Sequence, residues 1–501
     1  MYLTFDVGTT SVKTALFDRR GNLIQRVIRD YRLNSPQVGW YEVEPEIYWN
    51  SVIEGFREIA SKNPGLIKEV KTISGCSQGE TVIFLDKKGR PVRPAIVWYD
   101  NRAREEVEDF RGIITDQELY ETTGISEFDP MWSANKILWV RKHEPEKFKD
   151  IDRIMLVEDF IVCMLTGIPC SSASLLATSM LVDVHKRVYW DKIVGFLDVR
   201  DKLTEIIDEG SIVGRVRGEI SDDLGISRDT VVVKGSMDQN TSAIGAGNIK
   251  SGIITEATGS ALAIAITVEK GGLIKGVKLP YQPHAIPGKF LYIPFAQTAG
   301  IAYKWFRDSF AGEELKRSGD PQLVYDEMNK LASSVEAGCD GLIFLPYLAG
   351  ASFPENDSFA KGVFYGITLK HSRAHFTRAI LESIAFMLKK ILTLVEVSGI
   401  RIDEVHSMGG GARSDLWLQI KADVCGYPFI RMLEEEAATL GAAILAAVSI
   451  GDYSSFDEAV KAMVKKGKRF VPERAHRDIY IRNYNLYCEL YDNLKPLFVK
   501  Y

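Results

Sequence analysis

A chain of 501 residues exceeds what one hydrophobic core ordinarily serves, so two or more domains are expected. With 46% hydrophobic and 26% charged residues it has a soluble globular composition, and a formal net charge of -5 argues against a nucleic-acid-binding surface. No apolar run reaches membrane-spanning length and no basic-then-apolar leader precedes the first strand, so no membrane partner and a cytoplasmic location are expected. The six cysteines (Cys76, Cys163, Cys170, Cys339, Cys425 and Cys488) contain no CxxC pair and read as reduced structural thiols.

Leu3 to Phe17 reads as strand, tight turn, strand, with apolar residues on both sides of Asp6 and the turn Gly8-Thr9-Thr10-Ser11. Glycine lets the backbone approach a ligand closely, and turn N–H groups with Thr and Ser hydroxyls suit phosphate oxygens. Asp6 beside them is placed to hold Mg²⁺, usually through water. A polar turn at Asp18 to Asn22 and a third strand from Leu23 to Val27 complete an antiparallel meander. Trp49, Val52, Ile53, Phe56, Ile59 and Ala60 fall at helical spacing between Glu46 and Lys62.

A strand from Val70 to Ser74 leads into Gln78-Gly79-Glu80-Thr81, a polar cluster where open α/β sheets place ligands. Strands at Val82 to Asp86 and Ala95 to Trp98 lead into a second cluster, Trp98 to Arg102. From Arg104 to about Lys202 the pattern is mostly helical, including Ser133 to Glu144 and Glu158 to Leu165. Val231 to Gly235 reads as a strand, followed by Ser236 to Asn240 and a glycine-spaced helix at Ala243 to Gly247. The domain boundary is placed just after it, dividing the chain into 1–247 and 248–501.

The second half repeats the first hairpin's design at Ile253 to Ile266, with a Thr258-Gly259-Ser260 turn between apolar strands. Gln297 to Phe306 is a turn entering a helix, Leu342 to Leu348 a buried strand, and Phe376 to Val397 a long amphipathic helix. Val405 to Asp415 reads as strand, triple glycine, helix, with flat backbone suited to a nucleoside. Ala437 to Val448 is a small-residue helix able to pack very closely.

Together these pieces resemble the FGGY family of carbohydrate kinases in the actin-like ATPase superfamily. Two long stretches carry the resemblance: Met131 to His143, and Gly362 to Ile367 through His375-Phe376 to Glu382. The likeness spans essentially the whole chain. It implies an α/β fold of two ribonuclease-H-like domains with a central cleft that takes ATP and a small sugar or polyol. A homodimer is the expected assembly.

By the same resemblance, Asp6 looks like the Mg²⁺ residue, with Gly8, Thr9 and Thr10 the first phosphate loop. Thr258 and Gly259 look like the second phosphate loop, and Gly300, Gly411 and Asp415 like nucleotide contacts. Asp238 looks like the catalytic base: an alcohol is a poor nucleophile until a carboxylate in reach takes its proton. Gln78, Gly79, Glu80, Asp238 and Gln239 look like the sugar side.

Departures bear on the substrate. Glycerol kinases carry Gln-Arg-Glu-Thr where this chain has Gln78-Gly79-Glu80-Thr81, and a Tyr where it has Met131. Bacterial xylulokinases typically carry Met-His at Gly79-Glu80, whereas Trp139 to Glu146, Leu345 to Gly350 and Gly409 to Ser414 lean toward them. Losing that Arg and Tyr removes polar donors and opens room, which favours something larger than glycerol: an open-chain ketose or polyol, with D-xylulose the best single candidate and glycerol, another ketose or a sugar acid the alternatives. A sugar acid beside Glu80 and Asp238 would need an offsetting cation such as Arg102. From another class, a non-catalytic actin-like nucleotide switch would share both hairpins but not need the sugar-side cluster. A zinc-containing glucokinase is disfavoured because no cysteine cluster has zinc spacing.

Overall fold

The opening apolar segments form three antiparallel strands, β1 (Tyr2–Val7), β2 (Ser11–Phe17) and β3 (Leu23–Asp30). In the computed structural model, which describes residues 1–274 and 277–500, β1 is buried along its whole length. Helix α1 (Pro45–Lys62) starts on a proline, whose fixed φ suits a first helical turn, and turns Tyr48, Val52, Phe56 and Ile59 inward. Strand β4 (Thr72–Ser77) runs parallel to β1, beyond which lie α2 (Ser133–His143) and α3 (Val157–Thr166). Strand β5 (Ile212–Arg215) pairs antiparallel with β6 (Val231–Met237), which runs parallel to β4. The order is β5-β6-β4-β1-β2-β3, and α4 (Asp238–Gly245) leaves the end of β6 directly.

The chain then builds β7 (Gly252–Thr258), β8 (Leu262–Val268) and the short β9 (Phe295–Ala296). Helices α5 (Gly300–Phe310), α6 (Pro321–Ser333) and α7 (Arg373–Val397) precede β10 (Ile402–Met408), α8 (Asp415–Cys425) and β11 (Phe429–Met432). After α9 (Ala437–Ser449) comes β12 (Lys466–Phe470). The pairing repeats the first sheet's plan: β7 is antiparallel to β8 and parallel to β10, β10 is parallel to β11, and β12 closes antiparallel. These are two ribonuclease-H-like sheets. Among the described residues no helix is long and apolar enough to cross a membrane.

Two compact units result. The first comprises Met1–Ile249, Thr267–Tyr292 and Glu436–Val464; the second comprises Lys250–Ile266, Ile293–Glu435 and Lys465–Tyr501. Sequence halves at 1–247 and 248–501 therefore differ from the units at 267–292 and 436–464, where the chain returns to the first. The second return is driven by α9. A Cβ on Gly245 would lie 1.9 Å from the Ala437 carbonyl oxygen, and one on Gly441 1.8 Å from that of Thr241. The α4 and α9 backbones touch at their glycines, so small residues are a packing requirement there.

Two other readings differ from the structure. The helix expected at Ala243 to Gly247 begins at Asp238: polar residues in a first helical turn resemble a loop when no apolar stripe marks them. The stretch from Arg104 to Lys202 mixes helices with two- and three-residue strands at Arg153–Met155, Cys170–Ser171, Val182–Asp183 and Val188–Tyr189. Bridges that short leave no periodicity to read.

The α4–α9 contact makes a stability prediction. Gly441→Ala should lower stability by about 1–3 kcal/mol, the usual penalty for overpacking. Gly195→Ala, at an exposed position of the helix Asp191–Leu197 with nothing within 4 Å of the new Cβ, should be neutral or stabilising. Thermal melts of the two variants compare them directly; equal melting temperatures would contradict the contact.

Candidate active site

Asp6 ends β1 at the turn into β2, where its carboxyl is almost fully buried. Burial pushes its pKa up, opposed by Lys13, whose ammonium lies 3.6 Å away. The negative charge of Glu436 adds to the upward push, while the Cys76 thiol donates a weak bond that opposes it. Lys13 is shared, pairing also with Glu436 at 3.3 Å. The turn is held by the Gly8 N–H to Ser11 carbonyl bond at 2.9 Å, and Tyr31 donates its hydroxyl to the Gly8 carbonyl. Thr10 is exposed, and Thr9 accepts the Trp98 indole N–H at 2.9 Å, which leaves its own hydroxyl proton free to donate.

The Gln78 to Thr81 loop follows β4 and is buried. Glu80 has a φ of 55°, a left-handed conformation that costs an L residue about 1–2 kcal/mol. Helix α2 pins it: Ser133 donates to the Glu80 carbonyl at 3.2 Å and Lys136 at 3.1 Å. Lys136, wholly buried, also donates to the Trp98 carbonyl at 2.7 Å, so one ammonium ties both polar clusters together. Burial raises the Glu80 carboxyl's pKa and lowers that of Lys136. Gln78 donates to Tyr48 at 3.4 Å, while its carbonyl oxygen and that of Gln239 are buried without a partner. Such orphaned acceptors are what a polyhydroxyl ligand satisfies.

Gly79 is not an open space. A Cβ there would lie 3.0 Å from Met237 Cε and 3.1 Å from Thr178 Oγ1. Met237, one residue before Asp238, thus fills the volume that a larger residue at position 79 would occupy. Arg102 is committed elsewhere. Its guanidinium bonds Asp100 at 2.8 and 2.9 Å and Glu42 at 2.7 Å, and it stacks over Trp40 at 4.2 Å.

Asp238 opens α4 with its carboxyl half-buried. Its pKa is pushed up to about 7, mainly by burial and by the negative charges of Asp6 and Glu80. The Gln239 N–H, donating at 2.7 Å, and Lys13 oppose the rise. The first unit thus holds Asp6, Gln78, Gly79, Glu80, Asp238 and Gln239, with Asp238 feeling the charges of both Asp6 and Glu80.

The second unit holds a pocket of about 170 Å³ lined by Thr258, Gly259, Gly300, Tyr303, Gly411 and Trp417, among others. Glycines admit its walls to one another. A Cβ on Gly300 would sit 2.1 Å from the Gly259 carbonyl oxygen, and one on Gly411 2.8 Å from Thr258 Cβ. Thr258 donates its hydroxyl to Glu256 at 2.7 Å and accepts from the buried Lys421 at 2.8 Å. Lys421 also bonds Glu256 at 2.7 Å. Asp415 is not in the lining; it is exposed and pairs with Arg431 at 2.5 Å and Lys468 at 2.6 Å.

Sequence reasoning missed Lys136, Met237, Lys421 and the Tyr303–Trp417 wall. Lys136 and Lys421 read as ordinary helix-surface cations because their acceptors lie far away in the chain. The aromatics fall at helical spacing and look like core.

Paired ribonuclease-H-like units, one with an acidic group around a poised carboxylate and one with a glycine-lined pocket, define an actin-like ATP-dependent phosphotransferase. The chain belongs to the FGGY family of carbohydrate kinases. It matches that family's N-terminal domain over residues 1–245 and its C-terminal domain over residues 258–450. It is 30% identical to a xylulose kinase of Staphylococcus epidermidis, across 99% of this chain and 97% of that one. It is also 30% identical to a gluconokinase of Bacillus subtilis, across 94% and 91%. The crystal structure of ligand-bound xylulose kinase from Lactobacillus acidophilus superposes with a TM-score of 0.89 at 26% identity, covering 100% of both chains.

The raised Asp238 pKa has a stability consequence. Below the ordinary value of 3.8 the carboxyl is protonated in both folded and unfolded chains. Between 3.8 and about 7 the unfolded chain's carboxyl ionises while the folded one stays protonated, so stability falls across that window, and above about 7 the folded protein carries the full penalty of a buried carboxylate. Asp238→Asn should therefore raise the melting temperature at pH 8 and leave it unchanged near pH 3, below the ordinary value. A uniform shift at both pH values would contradict the assignment of the strain to this carboxyl's charge.

Proposed function

We propose that this carbohydrate kinase transfers the γ-phosphoryl of ATP to a hydroxyl of a neutral ketose or polyol, with D-xylulose the best single candidate. The observation that carries the neutral-sugar reading is the charge of the first unit's site. Glu80 and Asp238 face it, Arg102 is sequestered by Asp100 and Glu42, and Lys136 is spent on two backbone carbonyls. A sugar acid's carboxylate would meet like charge, and neither Arg102 nor Lys136 is available to offset it. The relatives include both a xylulose kinase and a gluconokinase at equal identity, so this local charge is what separates the two readings.

In the proposed mechanism, Gln78, Glu80 and Gln239 orient the sugar hydroxyls. Asp238 accepts the attacking hydroxyl's proton as its oxygen bonds the γ-phosphorus and the bridging bond to ADP breaks. The Thr9 hydroxyl donates to a phosphate oxygen, and Thr10 and the turn backbone line the same loop. Thr258, Gly259, Gly300 and Gly411 form the nucleotide side, where backbone rather than the committed Thr258 hydroxyl meets the phosphates. Asp6 is the residue that would hold Mg²⁺. Among the described residues no three His, Cys, Asp or Glu are arranged for a metal ion, and one carboxylate suits Mg²⁺, which takes its other ligands from water and phosphate. When bound, that ion offsets charge on the phosphate oxygens.

ADP release with Mg-ATP should be stimulated by xylulose in a panel with ribulose, fructose, glycerol, erythritol and gluconate. Gluconate alone giving turnover would overturn the neutral-sugar reading. ATP binding with no stimulation by any sugar would favour a nucleotide switch. Asp238→Asn should lower kcat by about 10²–10⁴, the usual range of general-base assistance, with ATP binding retained.

A further inference from the structure

The segment that delivers Asp238 is irregular. Between Val233↔Ser74 and Ser236↔Cys76, β6 advances three residues while β4 advances two. One extra residue is therefore inserted, which leaves an amide outside the ladder and re-aims everything beyond it. Because strand side chains alternate, losing that residue from the bulge would turn the following side chains to the opposite face. The strands come too close at the bulge for a side chain: a Cβ on Gly235 would lie 1.7 Å from the Gly75 carbonyl oxygen.

The unladdered Gly235 N–H donates instead to Glu158 Oε1 at 2.9 Å. The other carboxylate oxygen of Glu158 is held by the Lys234 ammonium, which also bonds Asp159 at 2.6 Å. All three charged side chains are essentially inaccessible to solvent. Glu158 stands in the first turn of α3, and its backbone N–H, one of the helix's unpaired donors, donates to Ser77 Oγ at 3.1 Å. The Ser77 hydroxyl in turn donates to the Gln78 carbonyl at 2.8 Å. One residue thus touches both the bulge before Asp238 and the strand end before Gln78 and Glu80.

We propose that the buried Glu158–Lys234 pair is a positioning device for catalysis: Glu158 supplies the acceptor that maintains the β6 bulge, Lys234 fixes its orientation, and together they aim Asp238. This rests on the reading of Asp238 as the base. Neither residue touches substrate. A buried ion pair is seldom the best stabiliser, since an apolar pair of similar volume is often as stable, whereas removing one partner alone is strongly destabilising. The test therefore replaces both, and each double variant also carries Asp159→Asn so that the carboxylate Lys234 holds is not left buried without its partner.

In Glu158→Met/Lys234→Met the Gly235 N–H has no acceptor. Its kcat should fall by about 10²-fold, the order expected for a displacement near 1 Å, with KM for ATP unchanged. Glu158→Gln/Lys234→Met restores a neutral acceptor and should recover most of that loss. A purely structural pair would move melting temperature without this rescue of kcat. Equal kcat in the two double variants would overturn the proposal, as would wild-type kcat in the methionine pair. If the methionine pair does not fold, the glutamine variant decides: a kcat loss as large as that of Asp238→Asn overturns it. Asp238→Asn run in parallel separates the two ideas. If it keeps wild-type kcat, the base reading fails; if it loses kcat while the double variants match each other, only the positioning role fails.

Discussion

The first unit is organised around one electrostatic difficulty: three carboxylates, Asp6, Glu80 and Asp238, share a poorly solvated region with few cations. Burial disfavours the ionised form of all three, and at Asp238 the negative charges of Asp6 and Glu80 add to it, moving its pKa up to about 7, the range that the proposed general base needs near neutrality. The available cations are spread thinly. Lys13 is divided between Asp6 and Glu436, and Lys136 points its protons at backbone carbonyls. Neither neutralises Asp238 outright. A site that gave Asp238 a cation of its own would hold its pKa lower and, under the proposed mechanism, leave a weaker base.

Backbone approach is the corresponding constraint in the second unit. Gly300, Gly409 and Gly411 each come against the Thr258–Gly259 turn, closer than a side chain would permit at Gly300 and Gly411. The Lys421–Glu256 pair anchors that turn from behind by occupying both hydrogen-bonding roles of the Thr258 hydroxyl. The two units thus use different means at equivalent hairpins. The first presents a hydroxyl, on Thr9, and a carboxylate; the second presents backbone over a buried ion pair.

Much of this was legible in the sequence because local chemistry carries it. The Asp6 hairpin and its second copy at Thr258 announce themselves by apolar strands around glycine-bearing turns, and the two long family stretches fix the fold. Other features depend on residues distant in the chain. Nothing near Lys136 indicates that its ammonium reaches the carbonyls of Glu80 and Trp98. Nothing near Gly79 indicates that Met237 takes up its space. Arg102, a natural candidate for binding a sugar acid when read beside Glu80, is removed from that role by Asp100, Glu42 and Trp40. The start of α4 was obscured because Asp238 and Gln239 are polar where the helix begins.

The most direct measurement of the central claim is the pH dependence of kcat/KM for the accepted sugar at saturating Mg-ATP, which reports the essential ionisation of the nucleotide-bound enzyme before the sugar binds. An acid limb with a midpoint near the Asp238 value of about 7 is predicted. A profile that stays flat through the weakly acidic range, where an ordinary aspartate is already ionised, would contradict the view that crowded, buried carboxylates set the base.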